Sequence, residues 1–365
     1  MKTILRLIAG VMSLFAFICC DVHEFPETNQ RRIPLELNLH FNTDMPDYKE
    51  ITYTKGSDTK IPYGGHDIRY IVNAYRVDNV RSATRQADTT FVFTKPNDGY
   101  LDESLVLTLP EGTYDFKVWT DYVDNSSTSD KYYCTSDFEE IILANKSPHS
   151  GSNTYREAFR GYGNATVSDP LLYVSHVAEN IHNVADVEMV RPMGRYKFIS
   201  TDVDIFLTRV MEMMKEQGKL LNINLNADSK AYYEQVLQAI NITGYKVVFR
   251  YNAFMPCSFN MFTDKPADSW TGISYTSQME IDPSYKEMIM GHDFVFVNGS
   301  ETTLSISLEV YNAENEKVSA TNPIYVPIVR NKLTLVKGEF LTSTASGGVS
   351  INPGYDGDDY NIEIY

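Results

Sequence analysis

The chain has 365 residues, 43% hydrophobic and 22% charged, a balance that excludes wholesale disorder and collagen-like structure. Asp and Glu outnumber Lys and Arg 48 to 32, for a net charge of −16; with no basic stripe to offset it, this argues against nucleic acid as a partner. The length suits two domains of roughly 100–200 residues, and 25 Tyr and 18 Phe beside 4 Cys favour β-structure that does not depend on disulfides.

The first predicted element is a leader. Lys2 and Arg6 flank the start of an apolar run from Leu7 to Cys20, broken only by Gly10 and Ser13, and Asp21 and Glu24 follow at once. A charged start before a short apolar run reads as a secretory signal, too short to span a bilayer. No later segment reaches roughly 18 uninterrupted apolar residues. The Phe17-Ile18-Cys19-Cys20 end resembles a bacterial lipobox, with Cys20 as the lipid-bearing first residue of the mature chain. The match departs from the usual pattern, which has Leu three residues before that cysteine and Gly, Ala or Ser directly before it. An ordinary signal peptide with incidental cysteines is the alternative. The expected division is a signal over 1–19, a tether over 20–32, and β-domains over 33–185 and 186–365.

Ile33 to Phe41 alternates five apolar residues with four others, the pattern of a strand with one buried face. Asn42 to Gly65 reads as a long loop or weak hairpin. Strands are predicted over Ile68–Val77, Thr89–Thr94 and Leu105–Leu109, the last stopped by Pro110-Glu111-Gly112 and followed by the alternating Tyr114–Thr120. Tyr132–Leu143 adds another strand between Ser/Asn/Gly-rich loops. The pattern resumes over Val184–Ser200 with a break at Pro192 and Gly194. Asp202 or Thr201 can cap a helix running through Gly218, with Ile205, Phe206, Val210, Met213 and Met214 as its apolar stripe. A second helix is predicted over Asp228–Ile240. Strands return at Tyr245–Phe254, His292–Val297, Thr303–Tyr311, Ile324–Leu341 and the last four residues. The expected fold is mainly β: two tandem β-sandwiches, the second with helices near 202–240.

Catalytic signatures are missing from the sequence: there is no GxSxG, HExxH, P-loop or GxGxxG after a strand. The seven His are scattered, and His176 and His182 are too far apart for the usual helical metal pair, so they read as solvated or turn residues. Gly64-Gly65 before His66-Asp67 reads as a turn. Asp356, Asp358 and Asp359 lack the spacing of a calcium loop and read as a solvated turn. Neither an enzyme nor a cofactor is expected. Trp119, Trp270 and the many Tyr could stack on sugars, although strand aromatics are more often core. Cys134 and Cys257 either pair or stay buried as small hydrophobes, and the second is expected.

Five segments together resemble the fimbrillin-like surface lipoproteins of Bacteroidetes. They are Leu109–Asp124, Tyr155–Gly161, Val190–Tyr196, Val326–Thr334 followed by Gly338, Leu341 and Thr342, and Asn352–Gly357. The resemblance implies two transthyretin-like sandwiches and a place in surface fimbriae at the outer membrane. In that family an arginine-specific protease removes the leader and first strand, and the open groove takes a neighbour's strand. Here no Arg occurs between Arg32 and Arg69, and Arg69 falls inside a predicted strand. Cutting at Arg31-Arg32 would remove the lipid and leave the groove filled. The expectation is therefore an uncleaved, lipid-held fimbrial anchor or accessory subunit, or a surface protein that does not polymerise. Its candidate strand-exchange segment is Ile33, Leu35, Leu37, Leu39 and Phe41. Its expected partners are other fimbrial subunits through β-strand addition, the membrane through the lipid, and host or bacterial surface ligands. Asp88-Thr89-Thr90 resembles the O-glycosylation motif of these bacteria. The competing expectation is a glycan-binding surface lipoprotein of a polysaccharide-uptake system, which an exposed aromatic platform would mark.

Overall fold

The structure, a computed structural model, describes residues 31–46, 62–77, 85–169, 183–218, 230–344 and 363–364. The leader with Cys20 and the acidic stretch 355–359 lie outside the described residues. The fold is mainly β. The first part of the chain forms β1 (Ile33–Phe41), β2 (Asp67–Arg76), β3 (Thr89–Pro96), β4 (Glu103–Leu109) and β5 (Gly112–Val123). The short β6 (Tyr133–Cys134) and β7 (Ile141–Leu143) follow, then β8 (Phe159–Val167) and β9 (Val184–Val190). After Arg191-Pro192 come β10 (Met193–Ser200), the helices α1 (Val203–Glu216) and α2 (Lys230–Ala239), and β11 (Lys246–Tyr251). A run of short strands comprises β12 (Met255–Pro256), β13 (Ser258–Asn260), β14 (Lys265–Pro266), β15 (Ser269–Trp270), β16 (Ser274–Gln278) and β17 (Glu280–Ile281). The chain finishes with β18 (Met288–Phe296), β19 (Glu301–Tyr311), β20 (Lys317–Ala320), β21 (Ile324–Val329), β22 (Leu333–Gly338) and β23 (Glu363–Ile364).

Seven strands form one sheet in the order β3-β2-β5-β8-β9-β1-β4. Its pairs are antiparallel except β1 with β9, which run parallel. Buried side chains from β1, β2, β4, β5, β8 and β9 all join one cluster, so the sheet curls around a single core. Leu37 of β1, Val72 of β2, Leu107 of β4, Val118 of β5 and Val187 of β9 are all fully buried in it. That core exists because alternate residues of each strand point the same way.

The second core lies between the sheets β17-β18-β10-β22-β23 and β16-β11-β19-β20, with β21 also paired to β19. Phe198 of β10 meets Phe249 of β11 at 5.5 Å, and Phe249 stacks on Tyr275 of β16 at 4.7 Å. Trp119, Tyr133, Ile141 and Ala158 from the first part of the chain belong to this same core. A small sheet, β14-β13-β7-β6, binds the two parts by backbone pairing, with Ile141 opposite Phe259.

Several predicted elements change in detail. The helix of the cap prediction is α1, but Asp202 makes no capping bond with its side chain. Its carboxylate instead accepts the backbone N–H groups of Leu341 and Thr342, at 3.3 and 2.8 Å. Phe206 and Val210 of the stripe are buried, joined by Leu207, while Ile205 and Met213 are exposed. Ile324–Leu341 is two strands, because Asn331 takes a left-handed φ of 57° between β21 and β22. The strand β8 went unpredicted because Gly161, Gly163 and Asn164 disfavour strand. The glycine at 161 is required there: a Cβ would sit 2.3 Å from Met189 Sδ and 2.5 Å from Val187 Cγ1 on β9.

Candidate functional site: the first strand and its latch

Ile33, Leu35, Leu37 and Leu39 point into the first core and are almost completely buried, and Phe41 is half-buried. The strand carrying them is paired on both sides. Residues 33–39 run against β4, from Ile33 opposite Leu109 to Leu39 opposite Glu103. Glu36 to Phe41 run beside Val184 to Met189 of β9. The Phe41 ring lies edge-on to Phe159 at 5.2 Å and to Tyr70 at 6.2 Å. Burying four such aliphatic side chains contributes roughly 1.5–3 kcal/mol each.

The chain leaving β1 is clamped. Arg191, 1% exposed, donates to the backbone carbonyls of Thr43 (2.9 Å), Asp44 (3.1 Å) and Asn42 (3.3 Å). The same guanidinium donates to Glu157 Oε1 at 2.5 Å and Asn331 Oδ1 at 2.8 Å, and lies 4.7 Å over the Phe159 ring. Asn42 N–H donates to Met189 O, and Leu333 N–H donates to Pro46 O. Between those two bonds Met45 is buried in the second core. The residues after β1 thus cross from one core to the other under an arginine latch. At the opposite end of β1, Arg31 pairs with Asp169 at 2.9 Å and Arg32 donates to Thr108 O at 3.2 Å; both arginines remain exposed.

Other arginines of the resembling segments meet at the same junction. Arg160 forks onto Asp264 at 2.7 and 3.0 Å, and Arg330 reaches Asp264 at 2.6 Å. Burial pushes the Asp264 carboxyl up, but the bonds from Arg160 and Arg330 overcome this and leave it below the usual range. Arg156 ion-pairs with Asp293, which is buried with it. Asp293 also holds His149 Nε2 at 2.7 Å and accepts from Tyr251 at 2.6 Å, and Tyr196 bridges the Tyr251 and Tyr275 hydroxyls. Burial raises the Asp293 carboxyl; the Arg156 charge first, then His149 and Tyr251, more than reverse this and hold it far below the ordinary range. Gly194 is required nearby, since a Cβ there would stand 2.2 Å from Val329 O. Arg156, Arg160, Arg191 and Arg330 from three of the resembling segments thus hold this junction together.

Of the two expectations for the histidines, solvated or in a turn, His149 fits only the second: it lies in the loop after β7, buried in an ion network; the His66 ring stacks on Tyr155 at 4.1 Å. Trp119 is fully buried and cannot face a sugar. Cys134 and Cys257 are both free thiols, the second buried. Arg69 is buried within β2 and forks onto Asp121 at 2.9 and 2.7 Å. Thr90 is exposed, with its hydroxyl donating to Asn73 Oδ1 at 2.6 Å. Sequence reasoning missed Asp264, Asp293 and the carbonyls of 42–44. Their only signal was that several arginines in weak motifs needed acceptors.

The chain belongs to a family of unknown function, DUF6562, whose model matches residues 29–365. No curated protein matches it. Among solved structures it is similar to a candidate adhesin from Bacteroides ovatus, 13% identical over 80% of this chain and 78% of that one, with TM-score 0.37. A candidate cell adhesion protein from Bacteroides eggerthii is 11% identical over 87% and 89% of the two chains, also at TM-score 0.37. The fimbrial anchor protein Mfa2 from Porphyromonas gingivalis is 10% identical over 79% and 82%, at TM-score 0.32. Among the described residues no helix is long and apolar enough to cross a membrane, and no three His, Cys, Asp or Glu side chains group as metal ligands.

Proposed function

We propose that this chain is a non-enzymatic lipoprotein of the outer surface, held in the outer membrane by lipid on Cys20, that acts as an anchor or accessory subunit in fimbria assembly and cell adhesion. The observation that carries the reading is β1: it fills its own groove, and Arg191 latches the residues that follow it to the second core. A subunit that extends a strand-exchange polymer has to give up that strand. With no Arg between Arg32 and Arg69, cutting at Arg31-Arg32 leaves β1 in its groove, and a chain processed that way begins or ends an assembly. Its partners are other fimbrial subunits, joined by β-strand addition at a sheet edge away from the β1 groove. Its two β-domains are 33–185 and 186–365, with 20–32 as the tether to the membrane.

A labelled peptide of residues 33–41 offered to the purified protein tests the filled groove. No uptake is expected over days at neutral pH. Stoichiometric incorporation of the peptide, with displacement of the resident segment, would overturn the reading.

A further inference from the structure

Phe254 stands in the turn after β11 and is 71% exposed. Beside it lies a cleft of about 390 Å³ formed by the β11–β12, β14–β15 and β18–β19 connections, within the roughly 300–1,000 Å³ range of small-molecule sites. Phe254 and Pro256 give the cleft an apolar wall, and Asp268, Asn298, Glu301 and Thr302 give it a polar one. The polar wall is braced in advance. Asp268 receives the Ser269 N–H at 2.7 Å, and its own backbone N–H and carbonyl are bound by Ser258 and Cys257. Asn298 N–H donates to Thr302 Oγ1 at 2.8 Å, fixing the opposite loop.

We infer that this cleft binds a neutral carbohydrate, one ring packing its C–H face on Phe254 while its hydroxyls bond to Asp268, Asn298, Glu301 and Thr302. Three chemical features select that class. No lysine or arginine lines the cleft, and two carboxylates do, so phosphate, sulfate and uronate ligands are repelled. A wholly apolar ligand would strip water from Asp268 and Glu301 without replacing its hydrogen bonds. A lysine or arginine side chain would satisfy the carboxylates and the ring, but it leaves the Asn298 amide donor unused and needs less space than the cleft provides. A sugar offers both a flat apolar face and hydroxyls that donate and accept. This inference stands apart from the anchor reading, which depends on β1 and the latch.

The test is a screen of the purified full chain against gluco-, galacto-, manno- and xylo-oligosaccharides. Sulfated and uronate-bearing glycans and an Arg/Lys-rich peptide serve as comparators, and hits are measured by calorimetry. Saturable binding of at least one neutral oligosaccharide is expected, weakened roughly tenfold or more by Phe254→Ala and also reduced by Asn298→Ala. The thermal midpoint should stay unchanged in both variants, since both side chains are exposed. The inference is overturned by no binding of any neutral glycan, by binding that Phe254→Ala leaves intact, or by preference for the anionic glycans or the basic peptide.

Discussion

Replacing Arg191 by lysine keeps a positive charge beside Glu157 and removes the planar fork that holds residues 42–44. In the native protein one guanidinium serves five acceptors: the carbonyls of Asn42, Thr43 and Asp44, Asn331 Oδ1 and Glu157 Oε1. A lysine has three N–H donors on a single atom. At least two acceptors are therefore left unserved, and because the bonds at 42–44 and Asn331 are only partly buried, water replaces part of each; at roughly 1 kcal/mol each the loss is about 2 kcal/mol. That is a large part of the roughly 5–15 kcal/mol that holds a typical domain folded. Arg191→Met should cost more, because it strands the buried Glu157 carboxylate, and breaking such a pair costs roughly 3–5 kcal/mol. Urea unfolding gives the totals, and hydrogen exchange locates the damage. Exchange should rise first at residues 33–46, while strands of the second core such as β10 and β11 keep their protection. An Arg191→Lys variant within about 0.5 kcal/mol of wild type, with exchange at 33–46 unchanged, would refute the latch.

Gly194→Ala should destabilise by roughly 1–3 kcal/mol, because its Cβ would meet the Val329 carbonyl, a backbone atom that cannot swing aside; equal urea midpoints for variant and wild type would count against that packing. Acid should unfold the protein partly through Asp293. Its carboxyl is held below its unfolded value, so unfolding takes up a proton, and the stabilisation is complete above the ordinary carboxylate range near pH 4 and is lost as the pH falls toward the folded value. Asp293→Asn should therefore be less stable than wild type at pH 7 and lie closer to it at pH 3; a gap that stays constant with pH would contradict this. Burial, aided by Asp268, pushes the Cys257 thiol up to about 12. Alkylation of the native protein should spare Cys257 until it unfolds, and recovery of a Cys134–Cys257 disulfide from native protein would contradict the free thiols.

The strands with one buried face were legible because their side chains alternate: β1, β4 and the first half of β5 stand where the apolar residues at every second position put them. The strand β8 was not, since the close approach of Val187 and Met189 selects glycines that no propensity scale reads as strand. The short strands β12–β15 were hidden for another reason: β13 takes its pairing from β7, more than a hundred residues earlier. The site follows the same division. Ile33 to Phe41 could be marked from sequence, and Arg156, Arg160, Arg191 and Arg330 lay in segments already singled out. Their acceptors could not be found, because Arg191 binds bare carbonyls at 42–44 and Arg156 reaches an aspartate 137 positions away. Both are products of the chain's path between two cores.

An anchor of this kind has to keep β1 in the assembled protein. Protein shaved from the cell surface and analysed by mass spectrometry gives its mature N-terminus directly. A lipid-modified start at Cys20, or a start just after the exposed Arg31-Arg32 pair, with Ile33 to Pro46 present, is the predicted result. A mature N-terminus within residues 42–68 would mean that the strand had been removed, and it would contradict the account.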